Sequence, residues 1–264
     1  DNGLIMGWPR KSSAQPRYSY EAPAAQAPAQ GESAYDRNIE KLEKIFSDAV
    51  AYSQLAKPAD YNLRLEAMKG LFDGSRTLYI NASEPKGIIA AVSFAKRYGV
   101  KKMVLTGANE NAWAVKDFLK ENNIPVILSD VHDLPQYESS DIRMPFKMAS
   151  MFIKEGILTG LAYSNQAYGF NLPFAAGQVA AYGLSREEAL QIVTLNNARI
   201  LGIDDVTGSL ETGRDANIVV SGGDILDMMT NDIRYAFIQG RNISLDNKFK
   251  QLHRRFQSKY SQGK

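Results

Sequence analysis

The stretch NLPFAAGQVAAYGLSREEALQIVTLNNARILGI, residues 171–203, decides the fold, and GSLETGRDANIVV, residues 208–220, follows close behind it. Leu172, Ala175, Ala176 and Val179 recur at helical spacing, so one face of the first segment is apolar. Gly183 ends that helix. Ser185, with Glu188 three residues on, forms a capping box for the next. Ala189, Leu190, Ile192 and Val193 are its apolar positions, and Gly202 stops a short third helix. A turn rich in Gly and Asp then opens a strand over 216–221.

Upstream, short apolar runs alternate with helical ones. Strands are expected over 77–82, 102–106, 125–128 and 157–163, each followed by a helix. Ser83 caps the helix that carries Ile88, Ile89, Val92 and Ala95. Asn109 caps a single helix with Trp113, Val115, Phe118 and Leu119, and a further helix lies near 145–155. This alternation argues a parallel sheet, and a repeat of about 25 residues suits a β/α barrel unit better than a solenoid. No glycine-rich phosphate turn follows any strand, which weighs against an open doubly wound sheet. Two helices precede the units, over 35–57 and 63–72, and residues 1–8 have room for a fifth strand. The Ala/Pro/Gln run over 22–30 reads as a flexible surface loop.

Behind the helical stretch, 233–239 and 242–245 form a hairpin around Gly240-Arg241. Residues 246–260 form a basic helix with Phe249, Leu252 and Phe256 on one face. That spacing suits packing on the body or on a partner more than a membrane anchor.

Composition narrows the function. The chain has 31 Lys and Arg against 29 Asp and Glu, so it lacks the excess of positive charge that marks a polyanion binder. It has no cysteine, which removes disulfides and thiolate metal sites. No apolar run approaches the roughly 18 residues of a membrane span, and no signal peptide is visible. The chain opens at Asp1, as a processed or partial product would.

The two quoted stretches resemble the C-terminal signature of the amidohydrolase superfamily, in its imidazolonepropionase-like branch. The match runs through Glu188-Ala189-Leu190, Thr194, Asn196, Ala198 and Leu201-Gly202-Ile203. It continues through Gly208-Ser209-Leu210-Glu211, Gly213 and Asp215-Ala216. The resemblance implies an α/β fold, the C-terminal half of a TIM (β/α)8 barrel plus part of a small β-sandwich. Residues 1–62 would be an irregular leader with one helix, 63–203 the half barrel, 204–245 the sandwich strands and 246–264 the basic helix. The four units would be strands five to eight. An N-terminal half, from the same precursor or another chain, would complete the barrel. A second amidohydrolase-like subunit or a homo-oligomer is the expected assembly, and the periplasm or cell surface the expected place.

In that family the strand ends hold divalent metal through a His-x-His after strand one and a carboxylated Lys or Glu after strand four. Histidines follow strands five and six, and an Asp follows strand eight. Here the strand-five position falls on Asn81, an amide and a poor zinc ligand. Strand six ends in Asn109-Glu110 without a histidine, and strand eight in Ser164-Asn165. The chain has two histidines and no His-x-His. Asn81, Asn109, Glu110, His132, Ser164 and Asn165 are therefore the pocket candidates. His132 is the one catalytic candidate, against the plainer reading of an exposed loop histidine. No metal ligand is assigned and no cofactor is expected, unless the other half brings zinc or another divalent ion. The expected function is a non-catalytic structural or partner-binding subunit. The alternative is an active hydrolase of C–N bonds in cyclic amides or peptides.

Overall fold

In the computed structural model, which describes residues 2–11, 33–55, 60–129, 131–163 and 165–261, five short strands pair in parallel. The run over 22–30 and Ser164 lie outside the described residues. β1 (Gly3–Gly7) opens the chain and is followed by α1 (Ala34–Ser53) and α2 (Leu63–Asp73). The alternation runs β2 (Thr77–Asn81), α3 (Pro85–Arg97), β3 (Met103–Ala108), α4 (Glu110–Trp113) and α5 (Lys116–Glu121). It continues through β4 (Val126–Ser129), α6 (Met144–Lys154) and β5 (Thr159–Ala162). After a 3-10 turn (Gln166–Asn171) come α7 (Leu172–Ala180), α8 (Arg186–Gln191) and α9 (Leu195–Leu201). β6 (Ile218–Ser221), β7 (Ile233–Ile238) and β8 (Arg241–Asn242) form a separate antiparallel sheet, and α10 (Lys248–Ser261) closes the described chain.

The opening strand does belong to the sheet, whose order is β1-β2-β3-β4-β5. Its register brings Met6 beside Ile80, and Ile80 beside Leu105. These side chains face the helices and join one core with Leu71, Ile88, Phe152 and Leu161. Each such buried side chain contributes about 1.5–3 kcal/mol over leaving it in water.

On the other face the register aligns Ile5, Tyr79 and Val104, with Ile127 beside Gly160. The end of the quoted helical stretch covers part of this face. Ile200 of α9 packs with Tyr79 and Val104, and Ile127 and Leu158 pack against them. Gly160 admits the close approach, because a Cβ there would lie 2.0 Å from Asn197 Oδ1. Asn196 Nδ2 donates to the Thr159 carbonyl (3.0 Å) and Asn197 Nδ2 to that of Leu161 (2.9 Å). The Leu161 N–H donates to the Ile192 carbonyl. Since Leu158 O accepts from Val126 N in β4, alternation turns the Thr159 and Leu161 groups to the outer edge. Segment 192–197 thus finishes the edge of β5. No described strand finishes the edge of β1, where Ile5 is 82% exposed.

Some local expectations shift. One helix after Asn109 becomes two, because Trp113 and Val115 both pack into the core and i,i+2 side chains on one helix cannot face the same way. Glu84 replaces Ser83 as the cap of α3, without a side-chain cap bond. The Ser83 carbonyl instead accepts from Asn111 Nδ2 (2.8 Å). The capping box of α8 forms as read, with Ser185 N donating to Glu188 Oε2 at 2.7 Å and Glu188 N to Ser185 Oγ at 3.2 Å. Gly202 ends α9 in the left-handed region, at φ 67°.

Two outcomes follow from these contacts. Asn196→Ala leaves the buried Thr159 carbonyl without its donor and should cost about 1–3 kcal/mol, read as a lower urea midpoint. The backbone N–H and hydroxyl of Ser185 hold the Glu188 carboxyl below its ordinary pKa. Its stabilisation is therefore present at neutral pH and is lost as pH falls below the ordinary carboxylate range, through the depressed value. Ser185→Ala should raise the Glu188 pKa, followed by carboxyl-carbon NMR titration.

Candidate functional site

The C-terminal ends of β2, β3 and β4 border a cleft of about 470 Å³. Parallel pairing sets these ends at one level, so their last polar residues converge. Asn81 is exposed there and Thr106 donates through Oγ1 to the Ile80 carbonyl (3.2 Å). Asn109 caps α4, accepting from Asn111 N (3.0 Å) while its Nδ2 reaches Gln136 Oε1 (3.1 Å).

Glu110 lies beneath the loop after β4 and is only 9% exposed. Its Oε2 accepts from Gln136 N (3.0 Å) and Ser140 Oγ (2.9 Å). Tyr137 donates its hydroxyl to Asn111 Oδ1. The first turn of α4 thus clasps the 131–143 loop over the cleft by side chains. Glu110 Oε1 is buried and has no hydrogen-bond partner. An unmatched carboxylate oxygen is costly, so it marks either strain or a group that takes a donor.

His132 lies elsewhere. Its neighbours Val131 and Asp133 line the strand-end cleft, but His132 lines a second cavity of about 340 Å³ beside α7 and residues 224–228. Its Nδ1 is 2.7 Å from the Tyr163 hydroxyl. Arg186 pairs with Asp224 in the same cavity. The Met229 N–H and then the Thr230 hydroxyl hold Asp227 below the usual carboxylate range. Asn165 is occupied in capping the 3-10 turn, accepting from Ala167 N at 2.9 Å. The structure therefore unites Asn81, Asn109 and Glu110, and separates His132 and Asn165 from them.

Sequence reasoning missed Thr106, Gln136 and Ser140. The clasp joins residues 26 and 30 positions apart, and no local pattern marks such a contact. Chemically the cleft offers the carboxamides of Asn81, Asn109 and Gln136, the hydroxyls of Ser83, Thr106 and Ser129, the buried acid Glu110, a second acid in Asp133, and Arg10. Among the described residues no three or more His, Cys, Asp and Glu side chains group as a metal site would need.

The chain matches the model of the amidohydrolase family over residues 15–243, and it belongs to that family. Imidazolonepropionase of Picrophilus torridus is 28% identical over 232 residues, covering 83% of this chain and 53% of its own length. An amidohydrolase from Thermotoga maritima MSB8 superimposes with a TM-score of 0.69 at 20% identity, over 92% of this chain and 62% of that one. A prolidase solved with N-methylphosphonate-L-proline gives a TM-score of 0.52 at 16% identity, over 70% of this chain and 50% of that one. The chain thus spans about half the length of the curated relative and under two thirds of the solved ones. The parallel sheet is a partial barrel of the kind these structures hold.

Removing the clasp should loosen the loop without unfolding the sheet. Glu110→Ala is expected to speed hydrogen exchange at the Gln136 amide by about tenfold or more, while the amides of β3 stay protected.

Proposed function

We propose that this chain is a non-catalytic amidohydrolase-family protein, a structural or partner-binding subunit whose metal centre has been lost. The observation that carries this is the chemistry of the strand ends. Asn81 stands where the family resemblance expects a histidine, and an amide oxygen competes poorly with imidazole for zinc. β1 pairs beside β2, where the resemblance would put strand four, and it ends at Gly7, followed by Trp8, with neither lysine nor carboxylate at that end. Glu110, the acid at the end of β3, commits one oxygen to the loop. This donor set does not fit a catalytic divalent ion, and no hydrolytic step is assigned to it.

The partner in this reading is the rest of a barrel, from the same precursor or a second amidohydrolase-like subunit. The edge of β1 supports it, since no described strand pairs there and such an edge beside exposed Ile5 is a template for another strand. A periplasmic or cell-surface site belongs to the same reading and rests on the resemblance.

One observation favours a second reading. Glu110 Oε1 is an unmatched carboxylate oxygen close to the strand ends. With histidines from another half it would complete a reduced, mononuclear site for C–N hydrolysis. Metal analysis of the natural, fully assembled protein separates the two. Substoichiometric zinc, manganese and iron are expected. One equivalent of any of them, lost together with Asn81→Ala or Glu110→Ala, would establish the second reading instead.

A further inference from the structure

α10 carries five Lys and Arg and no Asp or Glu in fourteen residues, whereas the whole chain has a net charge of only +2. The remainder of the chain is therefore slightly net negative, and this helix is a local excess of positive charge. The sequence pattern suggests packing on the body or on a partner, but the body does not cover the helix, which has no buried residue. Phe249, Phe256 and Tyr260 are 81%, 48% and 73% exposed.

At about 100° per residue, Phe249, Leu252, Phe256 and Tyr260 line one narrow stripe. Lys248, Arg255 and Lys259 border it on one side, and Lys250 and Arg254 lie beyond its other side. The helix is tied down only near its start. Lys250 Nζ reaches the Leu245 carbonyl (2.9 Å), and Arg254 and Gln251 reach Asp246. These bonds tie the helix to the segment just before it, and they leave Phe249, Phe256 and Tyr260 exposed and Leu252 part-covered.

We propose that α10 is a docking helix for a protein partner that presents an apolar seam bordered by Asp and Glu. The width of the stripe selects a protein over a lipid surface. A helix lying in a bilayer interface buries a broad apolar face, whereas spacings of three and four residues from Phe249 to Leu252 to Phe256 make a seam for one facing helix or groove. Charge rules out the α10 of a second copy, since five cations would then oppose five. The same charge selects an acidic partner, with the exposed aromatics as its anchors. This inference is independent of whether the barrel holds a metal.

The test uses the full chain and a labelled helical peptide with a leucine heptad seam flanked by glutamates, followed by fluorescence anisotropy. Saturable binding is expected, weakening about tenfold or more as salt rises from about 0.05 M to about 0.5 M. It should vanish in the double variant Phe249→Asp, Phe256→Asp, with an unchanged thermal melt, because both side chains are exposed. A lysine-flanked peptide should not bind. Three results would overturn the proposal: equal binding of the lysine-flanked peptide, tighter binding to phosphatidylglycerol vesicles than to the peptide, or self-association that the double variant abolishes.

Discussion

A parallel sheet needs cover on both faces and a finish at both edges, and that constraint organises this molecule. The outer face is covered by the helices between the strands, around Phe152, Leu71 and Ile80. On the inner face α9 brings Ile200 against Tyr79 and Val104, and its neighbouring asparagines finish the edge of β5. The motif that carries the family resemblance is thus a structural clasp, in which Asn196 and Asn197 substitute for the backbone donors of a missing strand. Among the described strands none pairs with the outer edge of β1.

The same geometry fixes where chemistry can sit. Strand ends brought to one level gather Asn81, Asn109 and Glu110 around one cleft, yet these side chains are mostly neutral or already bonded. Glu110 holds a loop through its Oε2. In a functional metal centre the protein's donors point at the ion and are oriented by partners behind them. Among the described residues Glu110 and Asn109 have such partners, and no three or more His, Asp or Glu side chains group as donors.

Much of the fold was legible from residue order. Periodicity located the helices of the 171–203 stretch and Gly202 stopped the last of them, although α7 ends at Ala180, short of Gly183, and the Ser185–Glu188 box formed as written, because these are contacts between near neighbours. The break between α4 and α5 was not legible, since it depends on Trp113 and Val115 both reaching a core built by distant elements. The site was half legible. Asn81, Asn109 and Glu110 could be placed from strand ends, but the turn that sends His132 into a different cavity from Val131 and Asp133 has no local signature. The clasp through Gln136 and Ser140 joins residues far apart in the chain and emerges only in three dimensions.

The proposed loss of the metal centre means that the strand ends of this half barrel no longer grip a cation. Anomalous X-ray scattering from crystals of the natural assembly grown with zinc tests it at the atoms concerned. A lost centre gives no anomalous peak within coordination distance of Asn81 or Glu110. A peak about 2.0–2.2 Å from Asn81 Oδ1 or Glu110 Oε1 would contradict it.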